Sequence, residues 1–220
     1  MEQERYDLTG SLLRWYDYNK RILPWRENKD PYRIWVSEIM LQQTRVEAVK
    51  PYFDRFMEAF PEVQDLAEAD DERLMKMWEG LGYYNRARNL KAAARKIVNE
   101  YDGKIPGDYD ALLSLNGIGT YTAGAIGSIA FDLQVPAVDG NVMRVLSRLW
   151  GDDSDILKEK TKREMGKRIQ AYIPKDRPGD FNQALIELGA IVCIPNGKPL
   201  CDRCPWDTVC RAYSCLLYTS

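Results

Sequence analysis

The chain has 220 residues, of which 45% are hydrophobic and 29% are charged, so it can bury a core in one or two domains. Its net charge of −2 and isoelectric point near 5.4 argue against a protein coated in phosphate-binding charge. It contains no histidine, which excludes Ser-His-Asp and Cys-His catalytic arrangements and every metal site that needs a histidine ligand.

The N-terminal sequence MEQERYDLTG is charged and has no apolar segment, so we expect no signal peptide. The longest run of small and apolar residues, AGAIGSIAF, is far too short to span a bilayer. These features predict a cytoplasmic protein of bacterial type that does not contact membranes.

Apolar residues recur at helical spacing along most of the chain. They occupy positions i, i+3, i+4 and i+7 in the segments 74–81, 90–97 and 142–149. No segment shows the sustained alternation of apolar and polar residues that is typical of a half-buried strand. The sequence therefore predicts an all-α protein.

A glycine turn separates two predicted helices within residues 112–131. Gly117 and Gly119 flank one apolar residue, which permits a tight turn whose N–H groups point outward. The N-terminus of the following helix adds positive potential, so the turn could hold a phosphate. Many helix pairs turn on glycine for packing reasons alone. The pattern resembles the helix-hairpin-helix motif of DNA-binding proteins, although Asn116 replaces the proline usual there.

Asp139 follows this turn by about twenty residues and precedes an amphipathic helix. An aspartate before Gly140 and Asn141 at such a position is typical of a helix N-cap. Capping is therefore sufficient to explain Asp139 when it is considered alone.

Four cysteines near the C-terminus have the spacing C-x7-C-x2-C-x5-C, at Cys193, Cys201, Cys204 and Cys210. Without histidine, this spacing allows an all-thiolate zinc site, an iron-sulfur cluster or disulfides. A cytoplasmic setting favours free thiolates and metal over disulfides. The fifth cysteine, Cys215, lies in the terminal run SCLLYTS and is interpreted as a spare thiol.

Together, the hairpin, Asp139 and the cysteines resemble the iron-sulfur members of the helix-hairpin-helix DNA glycosylase superfamily. The chain looks most like the adenine DNA glycosylases of MutY type, through LPWR, IWVSEIMLQQT, GLGYYNRARNL, VDGNVMRVL and DFNQALIELGAIVC. One departure is the spacing from Cys193 to Cys201, which is one residue longer than is usual there. Full-length members also continue into a domain that helps to read oxidised guanine, so we expect this chain to be a truncated catalytic region.

The resemblance assigns chemistry to two carboxyl groups. Glu38 would protonate the flipped adenine, which requires burial and a raised pKa, and Asp139 would stabilise the positively charged sugar. Endonuclease III types, which act on oxidised pyrimidines, have a Schiff-base lysine at the position of Tyr121. A phenol cannot form an imine, so we expect a monofunctional glycosylase. Tyr121 and Asn141 would orient Glu38, Asp139 or the attacking water.

The resemblance also predicts how the flipped base leaves the duplex. Thr44 to Glu47 match a capping box, which would place Gln42 and Gln43 at a turn. Gln43 would enter the base stack and Tyr83 would wedge beside the base opposite the adenine. The residues assigned to DNA or to the adenine pocket are Trp25, Arg26, Leu41, Gln42, Gln43, Thr44, Leu81, Tyr83, Arg86, Gly117, Gly119, Gln183 and Lys198.

In this family the four cysteines hold a [4Fe-4S] cluster, although spacing alone leaves zinc open. The expected architecture is a two-lobed helix-hairpin-helix glycosylase fold. Residues 25–134 would form a helical barrel lobe, residues 1–24 and 135–213 a cluster lobe, and residues 214–220 a disordered or non-native tail.

The implied partner is double-stranded DNA with adenine opposite 8-oxoguanine or guanine, bound by a nucleoid-associated monomer. Three alternatives remain at this point. The chain could be an endonuclease III-like glycosylase, a DNA-binding iron-sulfur protein without catalysis, or a redox sensor.

Overall fold

The computed structural model describes residues 7–215, in which every regular element is helical. The prediction of an all-α protein is therefore confirmed. The helices are α1 (Leu8–Asn19), α2 (Pro31–Leu41), α3 (Val46–Ala59), α4 (Val63–Glu68), α5 (Asp71–Trp78), α6 (Asn85–Glu100), α7 (Tyr109–Leu113), α8 (Thr120–Phe131), α9 (Gly140–Trp150), α10 (Glu159–Gln170), α11 (Pro178–Ile191) and α12 (Arg211–Ser214).

The first residues of the charged N-terminal segment and most of the predicted tail lie outside the described residues. Among the helices of residues 7–215, none has the length and apolar character needed to cross a membrane.

The chain divides into two compact units. Ile22–Phe131 forms one unit, and the described residues on both sides of it form the other. The barrel lobe (residues 25–134) and the cluster lobe (residues 1–24 and 135–213) that the resemblance implies stay a prediction.

Helix α2 is the central element of the first unit. Asp30 caps it by accepting a hydrogen bond from the backbone N–H of Tyr32 at 2.8 Å, and Pro31 occupies the first helical position. Residues 34–40 are all buried, where α2 packs against α3, α6 and α8. Small residues at positions 123–125 and 127–128 of α8 are also buried, which permits close approach of the two helices.

The second unit is built around α9 and α11, which pack against each other. The capping residue Asp139 begins α9, and Gly151, with φ 61°, ends it in the left-handed conformation. Helix α1 packs on α11, where Arg21 Nε donates to Glu187 Oε1 at 2.6 Å. Glu187 is fully buried, so this ion pair ties the end of α1 to the core.

The start of α3 is a predicted feature that the structure corrects. A helix does begin there, at Val46, but Arg45 occupies the N-cap position without a side-chain cap bond. Thr44 Oγ1 donates instead to the Gln42 carbonyl at 3.3 Å, and Glu47 pairs with Lys50. The predicted capping box is therefore wrong, because the tight turn before the helix uses the threonine hydroxyl.

Candidate functional site

The first unit brings together two residues that the sequence singled out. Glu38 lies on α2 with 8% of its surface exposed, and Tyr121 lies in the first turn of α8. The Tyr121 hydroxyl donates to Glu38 Oε2 at 2.7 Å. A buried carboxyl group with a fixed hydrogen-bond partner is suited to directed proton transfer.

The second unit places Asp139 and Asn141 at the start of α9. Asp139 Oδ1 accepts from the Val142 N–H at 2.8 Å, which confirms that Asp139 caps the N-terminus of α9. Its other oxygen, Oδ2, accepts from Asn141 Nδ2 at 2.7 Å. The carboxylate is thus held in one orientation by two donors while it remains half-buried.

Arg144 extends this arrangement and was missed from the sequence. Its Nη2 donates to Asn141 Oδ1 at 2.9 Å and to the Gly189 carbonyl at 2.8 Å, and its Nε donates to the Cys193 carbonyl at 2.9 Å. Burial lowers the pKa of the Arg144 guanidinium. Arg144 therefore links Asn141, which orients Asp139, to the backbone of Cys193. The only signal in the sequence was its position three residues after Asn141.

Gly189 of α11 permits this close approach to Asn141. A Cβ atom at position 189 would lie 2.7 Å from the Asn141 Cβ and 3.1 Å from its carbonyl oxygen. Such contacts exclude any larger residue at position 189 unless the backbone moves.

Asn182 is a second residue that the sequence did not reveal. Its Oδ1 accepts from the Ala137 N–H at 3.0 Å, and its Nδ2 donates to the Val135 carbonyl at 2.8 Å. Asn182 is buried, and it pairs with the extended segment that leads to Asp139. The side-chain amide thereby satisfies backbone groups that no helix or strand pairs.

The predicted hairpin is formed by α7, a tight turn and α8. Gly117 has a φ of 77°, and a Cβ there would lie 2.9 Å from the Asn89 Cβ. Apart from its neighbours in the chain, no atom of the described residues lies within 4 Å of the corresponding position at Gly119. Ile118 is buried, whereas both glycines are exposed. The turn therefore presents its backbone outward, as a phosphate-binding hairpin requires.

Several residues assigned to DNA or to the adenine pocket line one cavity of about 300 Å³ in the first unit, namely Gln42, Gln43, Tyr83 and Arg86, together with Tyr84, Asn85 and Arg88. The structure confirms that Gln42 and Gln43 lie at a turn after α2. Tyr83 is 60% exposed. Its ring is therefore available to a bound molecule.

The surroundings of Arg86 differ from those expected. We expected it to contact DNA, but it is buried, and its guanidinium donates to the carbonyl oxygens of Ile39 at 2.9 Å and Leu81 at 3.1 Å, among others. Burial lowers its pKa. Since backbone carbonyls occupy the guanidinium, Arg86 supports the fold of the cavity, and its contact with DNA stays a prediction.

The residues predicted to read adenine are distributed over both units. Trp25 is buried in a 3-10 turn, Pro24–Arg26, and packs edge-on against Phe53 with ring centres 5.4 Å apart. Arg26 and Leu41 are half-buried, and Leu81 is buried, in the same unit. Gln183 lies half-buried on α11 of the other unit. Trp25 therefore packs in the core of its unit, whatever it contributes to binding.

The four cysteine side chains line one cavity of about 30 Å³ in the second unit, beside Arg148 and Pro199. Arg148 Nη1 lies 3.3 Å from Cys193 Sγ. Desolvation raises the pKa of the Cys204 thiol to about 12, so a bare thiolate is unfavourable there. Within residues 7–215, no group of three or more His, Cys, Asp or Glu side chains is arranged around a single ion position. Lys198 is exposed in the loop between the first two cysteines.

Comparisons with known proteins agree with these features. A family model described as "HhH-GPD superfamily base excision DNA repair protein" matches residues 36–171. The adenine DNA glycosylases of Mus musculus and Homo sapiens are 48% and 46% identical, over 93% and 92% of this chain. The aligned regions cover 41% and 39% of those two proteins. The chain thus spans less than half the length of these curated relatives.

Two solved structures share the fold over nearly the whole chain. A thermostable thymine-DNA glycosylase superposes with a TM-score of 0.85 at 30% identity, covering 94% of each chain. A trapped endonuclease III–DNA covalent intermediate superposes with a TM-score of 0.78 at 25% identity, covering 95% of each chain.

Proposed function

Because the chain belongs to the HhH-GPD superfamily of base excision DNA repair proteins, we propose that it is a DNA glycosylase that removes adenine mispaired with 8-oxoguanine or guanine. The curated relatives named above are adenine DNA glycosylases. The observation that carries the proposal is the hydrogen bond from Tyr121 to the buried Glu38.

Glu38 is proposed to be the general acid. Cleavage of the N-glycosidic bond sends its electron pair to the departing base, so protonation of adenine makes the base a better leaving group. Tyr121 fixes the orientation of the Glu38 carboxyl group, which is buried enough to be protected from bulk water. A misoriented carboxyl group would lose the short approach that proton transfer needs.

Asp139 is proposed to act on the sugar. As the base leaves, positive charge develops on the deoxyribose, and a carboxylate held by Val142 and Asn141 can stabilise that charge. Water then adds to the anomeric carbon and loses a proton, which completes hydrolysis. Asn141 and Arg144 keep the Asp139 oxygens in place.

The protein is proposed to leave the DNA strand intact. Strand cleavage by the endonuclease III type depends on an amine that forms an imine with the sugar. Tyr121 lies at the equivalent hairpin position and already donates its hydroxyl to Glu38. An abasic site is therefore the expected product.

DNA binding is proposed to combine three features. The exposed turn with Gly117 and Gly119 would hold a phosphate, and the exposed Lys198 would add a cation. Gln43 and Tyr83 would fill the gap that the flipped base leaves, because unstacking must be compensated by new contacts.

The cysteines are proposed to hold a [4Fe-4S] cluster. The four thiols around one cavity, in a chain without histidine, fit this group, and Cys193, Cys201, Cys204 and Cys210 would be its ligands. The cluster would supply a covalent framework that fixes the loop carrying Lys198. A visible absorption band that acid bleaches would support this assignment, and a colourless zinc-containing protein would contradict it.

One incubation separates the candidate activities. Three duplexes carry adenine opposite 8-oxoguanine, adenine opposite guanine, and thymine glycol opposite adenine, and each reaction is divided before alkali treatment. We expect alkali-dependent breaks in the first two duplexes only. Cleavage of the third duplex alone, or nicking without alkali, would identify an endonuclease III-like enzyme instead. Absence of cleavage in all three would leave a DNA-binding role.

A further inference from the structure

Two residues of the 300 Å³ cavity have an unusual backbone conformation. Gln43 has a φ of 58° and Tyr83 has a φ of 48°. The other non-glycine residues with positive φ in the described part of the chain are Asp102 and Asp132, a residue type that tolerates this region better. Conformations of this kind persist only where the surrounding structure holds them, and they cluster at functional sites.

Arg86 provides that support for both turns with the two arms of one guanidinium. Its Nη1 donates to the carbonyl oxygens of Ile39 at 2.9 Å and Met40 at 3.0 Å, and also to that of Gln42. This arm therefore fixes the end of α2 immediately before Gln43.

The other arm fixes the turn before Tyr83. Arg86 Nη2 donates to the carbonyl oxygens of Leu81 at 3.1 Å and Gly82 at 3.3 Å. The Gly82 carbonyl also accepts from Trp78 Nε1 at 3.1 Å. The two turns are consequently held at a fixed separation by one planar group.

Arg86 also supports the exposed aromatic ring. Its guanidinium carbon lies 5.4 Å from the centre of the Tyr83 ring and 5.5 Å from that of Trp78. Cation–π attraction at these distances favours one orientation of the Tyr83 ring. Arg86 itself is 9% exposed, so it influences a bound molecule only through the groups it holds.

We propose that Arg86 is a positioning residue for recognition of the base opposite the excised base. By bonding the carbonyls that precede Gln43 and Tyr83, it sets both side chains at the separation that the opposite strand requires. Lysine cannot replace it, because an ammonium group lacks the planar fork that spans two turns. This inference rests on the proposed function, in which Gln43 and Tyr83 enter the stack.

The first test compares Arg86→Lys with Arg95→Lys. Arg95 is a matched control, since it lies on the same helix and donates to one backbone carbonyl, that of Ala67, at 3.1 Å. Single-turnover excision is measured with adenine opposite 8-oxoguanine and opposite guanine, normalised to the active fraction of each protein. We expect Arg86→Lys to lower the rate by about 10- to 100-fold and to change the ratio between the two duplexes. Arg95→Lys should stay within about twofold of wild type.

A fluorescence measurement tests directly whether Arg86 positions the Gln43 and Tyr83 side chains in the base stack. A 2-aminopurine placed beside the base opposite adenine reports unstacking through a rise in fluorescence when protein binds. Arg86→Lys should reduce the amplitude of this rise at saturation, and Arg95→Lys should not. A full amplitude with unchanged opposite-base discrimination in Arg86→Lys would overturn the inference.

The melting temperature supplies a test that needs no activity. Glycine adopts positive φ without steric cost, so Gln43→Gly should raise the melting temperature of wild type, where Arg86 holds residue 43 at positive φ, more than that of Arg86→Lys, where the turn can relax. Equal changes in both backgrounds would show that Arg86 does not support this turn. If wild type is inactive on both adenine duplexes, the proposed function is wrong. The melting temperatures would still show whether Arg86 supports the turn at Gln43.

Discussion

Tyr121 donates its hydroxyl hydrogen to Glu38 Oε2 at 2.7 Å, although 83 positions separate the two residues in sequence. The contact depends on α2 packing against α8, whose buried small residues admit the neighbouring helix. One hydrogen bond thus connects the hairpin helix to the carboxyl group proposed as the acid. A phenol at position 121 cannot form an imine, which is consistent with the proposed hydrolysis without strand cleavage.

Replacement of Tyr121 by phenylalanine should slow adenine excision without unfolding the protein. The variant keeps the ring and removes the hydroxyl that orients Glu38, so we expect a loss of about tenfold or more in single-turnover rate. Tyr109→Phe is the control, because this hydroxyl makes only a 3.4 Å bond to the Thr120 carbonyl. An unchanged rate in Tyr121→Phe would remove Tyr121 from the proposed mechanism.

Replacement of Asp139 by asparagine should lower the rate of excision much more than it lowers the stability of the fold. Asparagine can keep the cap to the Val142 N–H but loses the bond that Asp139 Oδ2 accepts from Asn141, so the free energy of unfolding should fall by about 1 kcal/mol. Excision should fall by about 100-fold or more, because the negative charge beside the sugar is lost. Asp139→Ala should show the same loss of rate and an additional loss of about 1 kcal/mol in stability. Denaturant unfolding and single-turnover kinetics measure the two effects separately.

The hairpin glycines should respond differently to alanine. At Gly117 a Cβ would meet Asn89 at 2.9 Å, and φ is 77°, so Gly117→Ala should lower stability by about 1 kcal/mol or more and weaken DNA binding. At Gly119 the Cβ position is open. Gly119→Ala should therefore retain stability, and any loss of DNA affinity would arise from reduced access to the backbone. Titration of a labelled duplex, with unfolding curves, checks both variants.

Acidification should remove the contribution of the Asp17–Arg177 ion pair to the free energy of unfolding. Arg177 donates to both Asp17 oxygens, at 3.0 and 2.6 Å, and holds the pKa of Asp17 below its ordinary value of 3.8. Because the folded-state pKa is lowered, the stabilisation is complete well above 3.8 and disappears as the pH falls through the lowered pKa. Both side chains are partly exposed, so Asp17→Asn should cost about 0.5 to 1 kcal/mol at pH 7. The difference from wild type should shrink as the pH falls below 3.8 and vanish below the lowered pKa of Asp17, and a constant difference would exclude the pair as its source.

Much of the fold could be predicted because helices leave a local signature. The apolar spacing of residues 90–97 and 142–149 predicted α6 and α9, that of residues 74–81 predicted α5 as far as its end at Trp78, and two glycines predicted the hairpin. The capping role of Asp139 was also visible, since a cap depends on residues within one turn.

The remaining features depend on contacts between distant segments. Arg86 was assigned to DNA, because nothing in GLGYYNRARNL shows that backbone carbonyls from residues 39–42 and 81–82 surround it. Asn182 and Arg144 likewise serve backbone groups that are far away in sequence. Thr44 matched a capping box, but its hydroxyl instead donates to the Gln42 carbonyl in the turn before α3. Sequence periodicity carries no information about such partners.

The most direct test of the central claim is the release of free adenine from a duplex in which adenine lies opposite 8-oxoguanine. Chromatography of the reaction should detect one adenine base for each abasic site formed by wild type, with the strand intact before alkali treatment. The Glu38→Gln protein should bind the same duplex and release no measurable adenine. Adenine release by Glu38→Gln at the wild-type rate, or no release by wild type, would contradict the assignment of Glu38 as the acid in adenine excision.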